Sequence, residues 1–447
     1  MKALLKKLNN DKNERIKIIA MRKYILIIIC LFAGAITGKS VFAQFPADSA
    51  NEIESNVIPY TLPDPLMMPN GKRVKTTEQW MKIQRPYLYH LFEENVYGRY
   101  PAQKPAARYQ LREESRNALG GTAVRKQIRI FLKPTDTSVH IDVLMYLPAD
   151  AKGPVPVFLG LNFNGNATIQ SDPQIILSNN PAYSKFEKPN DDASRGTSSS
   201  RWPVKVILEN GFGVVTACYS DMELDKKDGW ETGMRTTLQN KLKIKPQEWG
   251  AIGVWAWGLS RIMDYLETDK DIDAKKVAVI GLSRLGKTAL WAGASDTRFS
   301  IVISNESGEG GAALARRWFG ETVGLMNKNF PHWFVNSYKK YNNNVFDLPV
   351  DQHELLALVA PRPLYVASAA DDLWSDPKGE FLSAWHAGEV YSLFGKKGLE
   401  TDEMPQVEHP IGNTIHYHIR SGKHDITLYD WEQYINFVKT QWSNRNN

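Results

Sequence analysis

The chain has 447 residues, of which 43% are hydrophobic and 23% charged. This is the composition of an ordinary globular protein and excludes a disordered chain or one with several membrane spans. The formal net charge of +6 comes from residues 1–43, which hold nine Lys or Arg against two Asp or Glu, so the remainder is close to neutral. The basic balance is therefore no argument for nucleic-acid binding.

Residues 1–43 predict a secretory signal peptide. A basic pair precedes the apolar run Tyr24–Thr37, and the tripeptide at 41–43 has the small-x-small pattern that suits signal peptidase. Met21 is a candidate for the true start, because the twenty residues before it are polar and basic. A single membrane anchor is the alternative, but the run is shorter than the ~20 residues that a span needs. We therefore expect a secreted or periplasmic protein with no stable membrane insertion.

The region after the leader begins with residues 44–77, which are rich in Pro, Asn and charge and predict a linker. A helical pattern covers Glu78–Tyr97. Two alternating runs, Lys126–Lys133 and Val139–Leu147, predict an antiparallel hairpin at a sheet edge. Of the two cysteines, Cys30 lies in the leader, so Cys218 is expected to be a buried, inert thiol without a disulfide partner.

Apolar runs then alternate with helical patterns. The predicted strands are Val155–Leu161, Gly213–Cys218, Lys276–Ile280, Ile301–Ser304 and Leu364–Ala367, and the predicted helices are Pro203–Glu209, Trp249–Leu266, one from Leu285, and Leu428–Thr440. Buried strands that alternate with helices imply a parallel sheet. Asn179–Ser200 predicts an inserted surface loop. We predict an α/β-hydrolase fold, a three-layer αβα sandwich around a mostly parallel central sheet, as one domain over 78–447 with inserted loops.

The sequence around Ser283 predicts a nucleophile elbow. A predicted strand runs directly into the heptapeptide Gly281–Lys287 (GLSRLGK), and a helical pattern follows. A catalytic serine at a strand-turn-helix junction needs small neighbours so that the backbone can bend. Gly281 meets this need, but the second glycine of the usual motif is displaced by one residue to Gly286. Because a Gly-x-Ser turn is also a common helix N-cap, the motif alone leaves both interpretations open.

A base and an acid for Ser283 follow in the order serine, acid, histidine. His424 lies in a Gly-containing turn just before the last helix, whereas His409, His416 and His418 are its rivals. The candidate acids are Glu306 and Asp372, each of which follows a predicted strand. Ligands of open α/β sheets bind at the carboxyl ends of strands, where these residues are expected.

The oxyanion of a serine esterase needs hydrogen-bond donors where negative charge develops. The backbone N–H of Arg284 is one candidate. The turn Asn162–Asn166, which follows a predicted strand, is a candidate for the other side of the hole. A plain Asn/Gly turn is the alternative interpretation of that segment.

Several segments together resemble a known family. Gly281–Lys287 is similar to the G-C-S-R-x-G-K signature of the glucuronoyl esterases, carbohydrate esterase family 15, with Leu282 in place of the usual Cys. Other segments resemble the bacterial branch: Glu94–Pro101, Asn162–Asn166, Ser200–Pro203, Glu306–Gly308, Arg316–Thr322 and Asp372–Pro377. The resemblance extends from about Glu78 to Phe437.

The resemblance implies hydrolysis of esters of (4-O-methyl)glucuronic acid, the bonds that tie glucuronoxylan to lignin alcohols in the plant cell wall. It implies an acyl-enzyme on Ser283, His424 as base, and Glu306 as acid, with Asp372 as the alternative or second acid. The Arg284 side chain would reach the oxyanion. The expected partner is the lignin–glucuronoxylan ester substrate, with no nucleic acid, no cofactor and no metal, and a monomer is expected.

Sugar recognition is implied for three residues. Lys287 and Glu321 would hydrogen-bond ring hydroxyls, and Trp374 would close over the sugar. The alternatives are a solvated Lys287, a Glu321 in a surface ion pair with one of the arginines at 316 and 317, and a Trp374 in the core. His332 and Trp333 are candidates for the rim.

Two other functions compete with this interpretation. An acetyl xylan esterase or general carboxylesterase would use the same scaffold, but Arg284 and Lys287 argue against it because an acetyl group offers a cation nothing to bind. A secreted glycan-binding protein with a degenerate hydrolase fold is the non-enzymatic alternative. The complete serine, acid and histidine set argues against that alternative.

Overall fold

The computed structural model of the protein describes Met1 and residues 49–101, 104–133, 140–178 and 191–443. The predicted signal peptide, apart from Met1, and the start of the predicted linker lie outside these residues, as does much of the predicted inserted loop. In the described part of the chain, no helix is long and apolar enough to cross a membrane. Ala47–Asn447 form one compact unit.

One ten-stranded sheet organises this unit. Its strands are β1 (Arg108–Ala118), β2 (Ala123–Phe131), β3 (His140–Pro148), β4 (Val155–Asn162), β5 (Gly213–Cys218), β6 (Ile272–Leu282), β7 (Ile301–Asn305), β8 (Leu364–Ala369), β9 (Ile411–Gly412) and β10 (Ile415–Arg420). They lie in the order β1-β2-β3-β5-β4-β6-β7-β8-β10-β9. The six neighbouring strands β5-β4-β6-β7-β8-β10 are parallel. The strands outside them pair antiparallel.

Helices cover both faces of the sheet. They are α1 (Thr77–Gln79), α2 (Arg85–Phe92), α3 (Val204–Glu209), α4 (Met234–Thr237), α5 (Gln239–Leu242), α6 (Ala251–Leu266), α7 (Arg284–Ser295), α8 (Val323–Asn329), α9 (Gln352–Ala357), α10 (Pro377–Leu393) and α11 (Leu428–Ser443). Ile280 of β6 clusters with Ile207 of α3 and Trp431 of α11 on one face. On the other face, Gly293 of α7 lies so close to β7 that a Cβ would be 2.4 Å from Val302 Cγ2. Because successive strand residues point to opposite faces of the sheet, helices can pack on both of them. The predicted three-layer α/β-hydrolase fold is confirmed.

Most predicted elements are present, but the position of the hairpin differs from the prediction, and β1, β9 and β10 were not predicted. Helical turns run continuously from Thr77 to Tyr97, and the predicted hairpin corresponds to β2 and β3. The hairpin does not form the sheet edge, because β1 lies outside it. β1 escaped prediction because its sequence is mostly polar and exposed, which is typical of an edge strand protected by charge. Cys218 is buried in β5, as expected.

Residues 49–77, which the sequence predicts to be a linker, contact the rest of the compact unit. Asn51 forms a bridge with Gly320, and Glu54 pairs with Arg317 at 2.7 Å. Val74 is buried. This segment therefore packs on the domain, while the predicted domain boundaries stay a prediction.

Candidate active site

Ser283 occupies a sharp turn between β6 and α7, and it is partly exposed. Its backbone has φ +59° and ψ −131°, a conformation that a non-glycine residue adopts only when the surrounding structure imposes it. A Cβ on Gly281 would lie 1.9 Å from the carbonyl oxygen of Leu285, and one on Gly286 would lie 3.0 Å from the carbonyl oxygen of Gly281. The two glycines therefore let strand and helix approach closely enough to form the elbow.

The acid and base candidates meet at the carboxyl ends of neighbouring parallel strands. Glu306 follows β7, Asp372 follows β8, and His424 follows β10. His424 Nδ1 donates to Asp372 Oδ2 at 2.6 Å and lies 3.2 Å from Glu306 Oε2. The structure thus brings both predicted acids to the same ring nitrogen, and the shorter distance is to Asp372.

Glu306 also holds the loop that carries His424. Its carboxylate accepts hydrogen bonds from Arg420 Nη2 at 2.6 Å and from the backbone N–H of Asp425 at 3.1 Å. The Asn305 amide donates to the Asp425 carbonyl at 3.0 Å, and the Asn305 carbonyl accepts from the Ser283 N–H at 2.9 Å. Asn305 and Glu306 therefore link the elbow to the histidine loop.

The three titratable groups shift one another's pKa. Burial raises the pKa of Glu306 to about 7, against the lowering effects of His424 and Arg420. Burial also raises the pKa of Asp372, but the hydrogen bond and charge of His424 outweigh it and lower the net pKa. Burial lowers the pKa of His424, yet its bonds to Asp372 and Glu306 raise it to about 10. The carboxylates therefore stabilise the imidazolium, the state that follows proton transfer from a serine.

The same three side chains offer one ligand atom each within 4.8 Å of one another, a spacing that could hold a metal ion. The hydrogen bonds of His424 to the two acids account for this spacing, and the Arg420 cation neutralises part of the charge. The arrangement can thus perform acid–base chemistry with the ring of His424. In the described part of the chain, no hydrogen bond joins the Ser283 hydroxyl to this ring.

The other candidate histidines lie elsewhere. His418 is buried in β10 between the Tyr365 hydroxyl, at 2.9 Å, and Asp430, at 2.8 Å. His416 is also in β10, and His409 is exposed. Of the predicted histidines, His424 meets the predicted acids.

Arg284 follows Ser283 directly, and three aromatic rings lie beside its guanidinium. Its guanidinium lies 4.7 Å from the ring centroid of Trp333, 5.4 Å from that of Phe330 and 6.0 Å from that of Phe163. Phe163 belongs to the Asn162–Asn166 turn, so this turn borders the arginine. Arg284 Nε is buried and has no acceptor among the described residues.

The three residues implied in sugar binding contact one another. Lys287 Nζ donates to Glu321 Oε2 at 2.8 Å, and Trp374 Nε1 donates to Glu321 Oε1 at 2.6 Å. Lys287 Nζ also donates to the carbonyl of Ser307 at 2.6 Å. Because Ser307 follows Glu306, this cluster adjoins one of the two candidate acids.

The alternative interpretations of Lys287, Glu321 and Trp374, as a solvated residue, a partner of Arg316 or Arg317 and a core residue, are wrong. The Lys287 side chain is 2% exposed, so it is not solvated. The arginines at 316 and 317 pair with other carboxylates, and Glu321 pairs with Lys287. Trp374 is 37% exposed and is not part of the core. His332 and Trp333, candidates for the rim, are buried and donate to Asp225 at 2.7 and 2.6 Å.

Sequence reasoning missed Asp225 and Arg420. Asp225 begins the charged run Asp225–Asp228, which has the composition of a solvated loop, although the Asp225 side chain is only 5% exposed. Arg420 ends a strand that was not predicted. No local pattern distinguishes either residue, because their partners are distant in sequence.

Comparison with known proteins gives consistent matches. The model of the fungal glucuronyl esterase family matches residues 204–395. A carbohydrate esterase from an unknown prokaryotic organism is 46% identical over 395 residues, which are 87% of this chain and 91% of that protein. The solved glucuronoyl esterase from Solibacter usitatus is 48% identical with a TM-score of 0.82, covering 87% of this chain and all of that one. A promiscuous esterase of carbohydrate esterase family 15 from a marine bacterial metagenome is 44% identical with a TM-score of 0.81, covering 88% and 100%.

Proposed function

Because the chain belongs to the glucuronoyl esterases of carbohydrate esterase family 15, we propose that it hydrolyses esters of (4-O-methyl)glucuronic acid, such as those joining glucuronoxylan to lignin alcohols. The observation that carries this proposal is the hydrogen bond of His424 Nδ1 to the Asp372 carboxylate, at 2.6 Å, at the sheet edge that also presents the elbow serine. Ser283 is the nucleophile and His424 is its general base. Asp372 and Glu306 orient the ring and stabilise its protonated form.

The reaction runs in two halves. Ser283 Oγ attacks the ester carbonyl while His424 Nε2 takes the hydroxyl proton, and the proton then passes to the departing alcohol. The acyl-enzyme is hydrolysed when His424 activates a water molecule and returns the proton to Ser283. The serine and the ring need not be hydrogen-bonded before substrate binds, because such contacts often form only in the complex.

Arg284 is the proposed electrostatic stabiliser of the oxyanion. It is adjacent to the nucleophile, it is permanently charged, and its Nε is a buried donor without an acceptor among the described residues. The second donor is a backbone N–H beside the Asn162–Asn166 turn or at the elbow itself. A charged donor at this place strengthens as negative charge develops on the carbonyl oxygen.

Lys287, Glu321 and Trp374 are the proposed sugar site. Each Glu321 oxygen accepts one protein hydrogen bond and keeps a lone pair for a hydroxyl. The Lys287 ammonium has three hydrogens, of which two have acceptors among the described residues. The exposed Trp374 ring offers an apolar face to the sugar. An acetyl ester uses none of these groups, which is why a glucuronate ester is favoured over acetyl xylan.

We further propose that the enzyme acts outside the cytoplasm on lignocellulose, on the pattern of residues 1–43. A monomer remains the expected state.

The test is the release of alcohol from benzyl glucuronate, compared with acetylated xylan and p-nitrophenyl acetate. The glucuronate ester should be the best substrate by kcat/KM. Ser283→Ala and His424→Ala should each lower turnover by about 10³-fold or more without loss of folding. Ser392→Ala, which changes an exposed serine on α10, is the control. Retention of more than about a tenth of the activity by either site variant would remove the assignment.

A further inference from the structure

We propose that Asp225 is a positioning residue for Arg284: it fixes the guanidinium through Nη1 and leaves the remaining donors for the substrate. Asp225 lies in the segment that follows β5, 59 residues from Arg284. Its Oδ2 accepts from Arg284 Nη1 in a close ion pair. The inference rests on the proposed function, because it assumes that Arg284 acts on the oxyanion.

The Asp225 carboxylate is itself held from several sides. Oδ1 accepts from His332 Nε2 at 2.7 Å and from Trp333 Nε1 at 2.6 Å, and Oδ2 accepts from the Tyr219 hydroxyl at 3.1 Å. Tyr219 is six residues from Asp225, whereas His332 and Trp333 are more than 100 residues away in sequence. A carboxylate with this many donors cannot rotate, so the arginine it binds takes its orientation from the fold.

Neighbouring groups also keep the Asp225 carboxylate ionised. Burial raises its pKa, but the hydrogen bond from His332 and the charge of Arg284 outweigh burial and hold the pKa at about 2. Asp225 is therefore ionised at every pH at which an esterase of this kind would work. Arg284 pairs with a permanent anion and not with a group that titrates.

The faces of the guanidinium are fixed by rings. Trp333 lies 4.7 Å away and is itself stacked on Phe330 with a centroid distance of 3.8 Å. With Nη1 bound to Asp225, the buried Nε of Arg284 has no acceptor in the described part of the chain. Trp333 thus serves twice, since its ring contacts the cation and its N–H holds the anion.

This arrangement matters for rate because a donor that is already oriented needs no reorganisation when the oxyanion forms. The Arg284 side chain is 28% exposed, so without Asp225 the guanidinium can turn toward solvent. It would remain charged but would have to be ordered in the transition state. The loss should therefore appear in kcat and only weakly in KM.

The experiment is a double-mutant cycle with Asp225→Asn and Arg284→Ala on benzyl glucuronate. Asp225→Asn should lower kcat about 10- to 100-fold and change KM by less than about 3-fold, whereas Arg284→Ala should lower kcat by about 10²–10³. In the Arg284→Ala background, Asp225→Asn should cost less than about 2-fold, because its effect passes through the arginine.

Glu223→Gln is the matched control. Glu223 lies two residues away, is fully buried, and pairs with Arg235 at 2.8 Å without touching Arg284. It should lower thermal stability while kcat stays within about 3-fold of the parent enzyme. A purely structural role of the segment would make Glu223→Gln and Asp225→Asn alike in kcat.

Each outcome decides one proposal. If Arg284→Ala leaves kcat unchanged, the oxyanion role fails and the Asp225 inference falls with it. If Arg284→Ala lowers kcat but Asp225→Asn does not, only the Asp225 inference is overturned. The same holds if Asp225→Asn lowers kcat by the same factor in the parent and in the Arg284→Ala background. Should Asp225→Asn fail to fold, Trp333→Phe keeps a ring under Arg284 and removes one donor to Asp225. It should then lower kcat about 3- to 10-fold in the parent and not in Arg284→Ala, and equal losses would overturn the inference.

Discussion

Two carboxylates lie at His424 Nδ1, and isosteric amide variants measure whether the acid of this site is redundant. Asp372 lies 2.6 Å from Nδ1 and Glu306 lies 3.2 Å from it. Asp372→Asn removes the closer carboxylate and leaves that of Glu306 at the ring. Glu306→Gln removes the farther carboxylate and leaves that of Asp372. Only the double variant leaves His424 without an anion.

The expected losses follow from these distances. Removal of the single acid of a Ser–His–acid triad costs about 10⁴ in kcat. With the second acid in place, we expect a loss of about 10² for Asp372→Asn, about 10 for Glu306→Gln, and about 10⁴ for the double variant. The double loss exceeds the product of the single losses by about tenfold, a coupling of about 1.4 kcal/mol.

The assay measures kcat at saturating benzyl glucuronate, and the melting temperature of each variant is measured by thermal unfolding. Unfolding is needed because Glu306 also binds Arg420 and the Asp425 N–H, so Glu306→Ala would lose stability as well as the acid. The family resemblance favours Glu306 as the main acid, whereas the distances favour Asp372. A double variant no slower than Asp372→Asn would show that Glu306 is no second acid, and a Glu306→Gln as slow as the double variant would make Glu306 the sole acid.

Three further predictions concern protonation, specificity and the elbow. Because the bond to Asp372 helps to raise the His424 pKa, Asp372→Asn should lower that pKa and move the acidic limb of the kcat/KM profile to lower pH by about one unit; an unmoved limb would contradict this. Glu321→Gln should raise KM for benzyl glucuronate about tenfold and leave p-nitrophenyl acetate unaffected, and equal losses would assign it to the fold. Gly281→Ala should abolish folding or lower the melting temperature strongly, since its Cβ would lie 1.9 Å from a backbone oxygen, whereas Gly153→Ala, with no atom within 4 Å, should be tolerated.

The parts of the site that could be predicted from the sequence are those whose residues form a local sequence pattern. The elbow could be predicted because strand, Gly281, serine and helix are consecutive, and His424 could be selected by its turn before the last helix. The contact between Lys287 and Glu321 could not, because the two residues are 34 apart in sequence and only the folded loop after β7 brings them together.

The residues that sequence reasoning missed are long-range partners. Asp225 stands among lysines in what reads as a solvated loop, and only the packing of His332 and Trp333 on it makes it a buried anion. β1 was missed for a different reason. Its exposed, charged sequence has no apolar face, because it pairs with one neighbour at the edge of the sheet.

We propose Ser283 as the nucleophile that opens glucuronate esters. The most direct test is reaction with a fluorophosphonate, followed by mass spectrometry of the peptides and assay of benzyl glucuronate hydrolysis on the same samples. We expect one adduct per chain, on Ser283, with activity lost in proportion to labelling, and labelling at least about 10²-fold slower in His424→Ala. An adduct on another residue, or activity that survives complete labelling of Ser283, would contradict it.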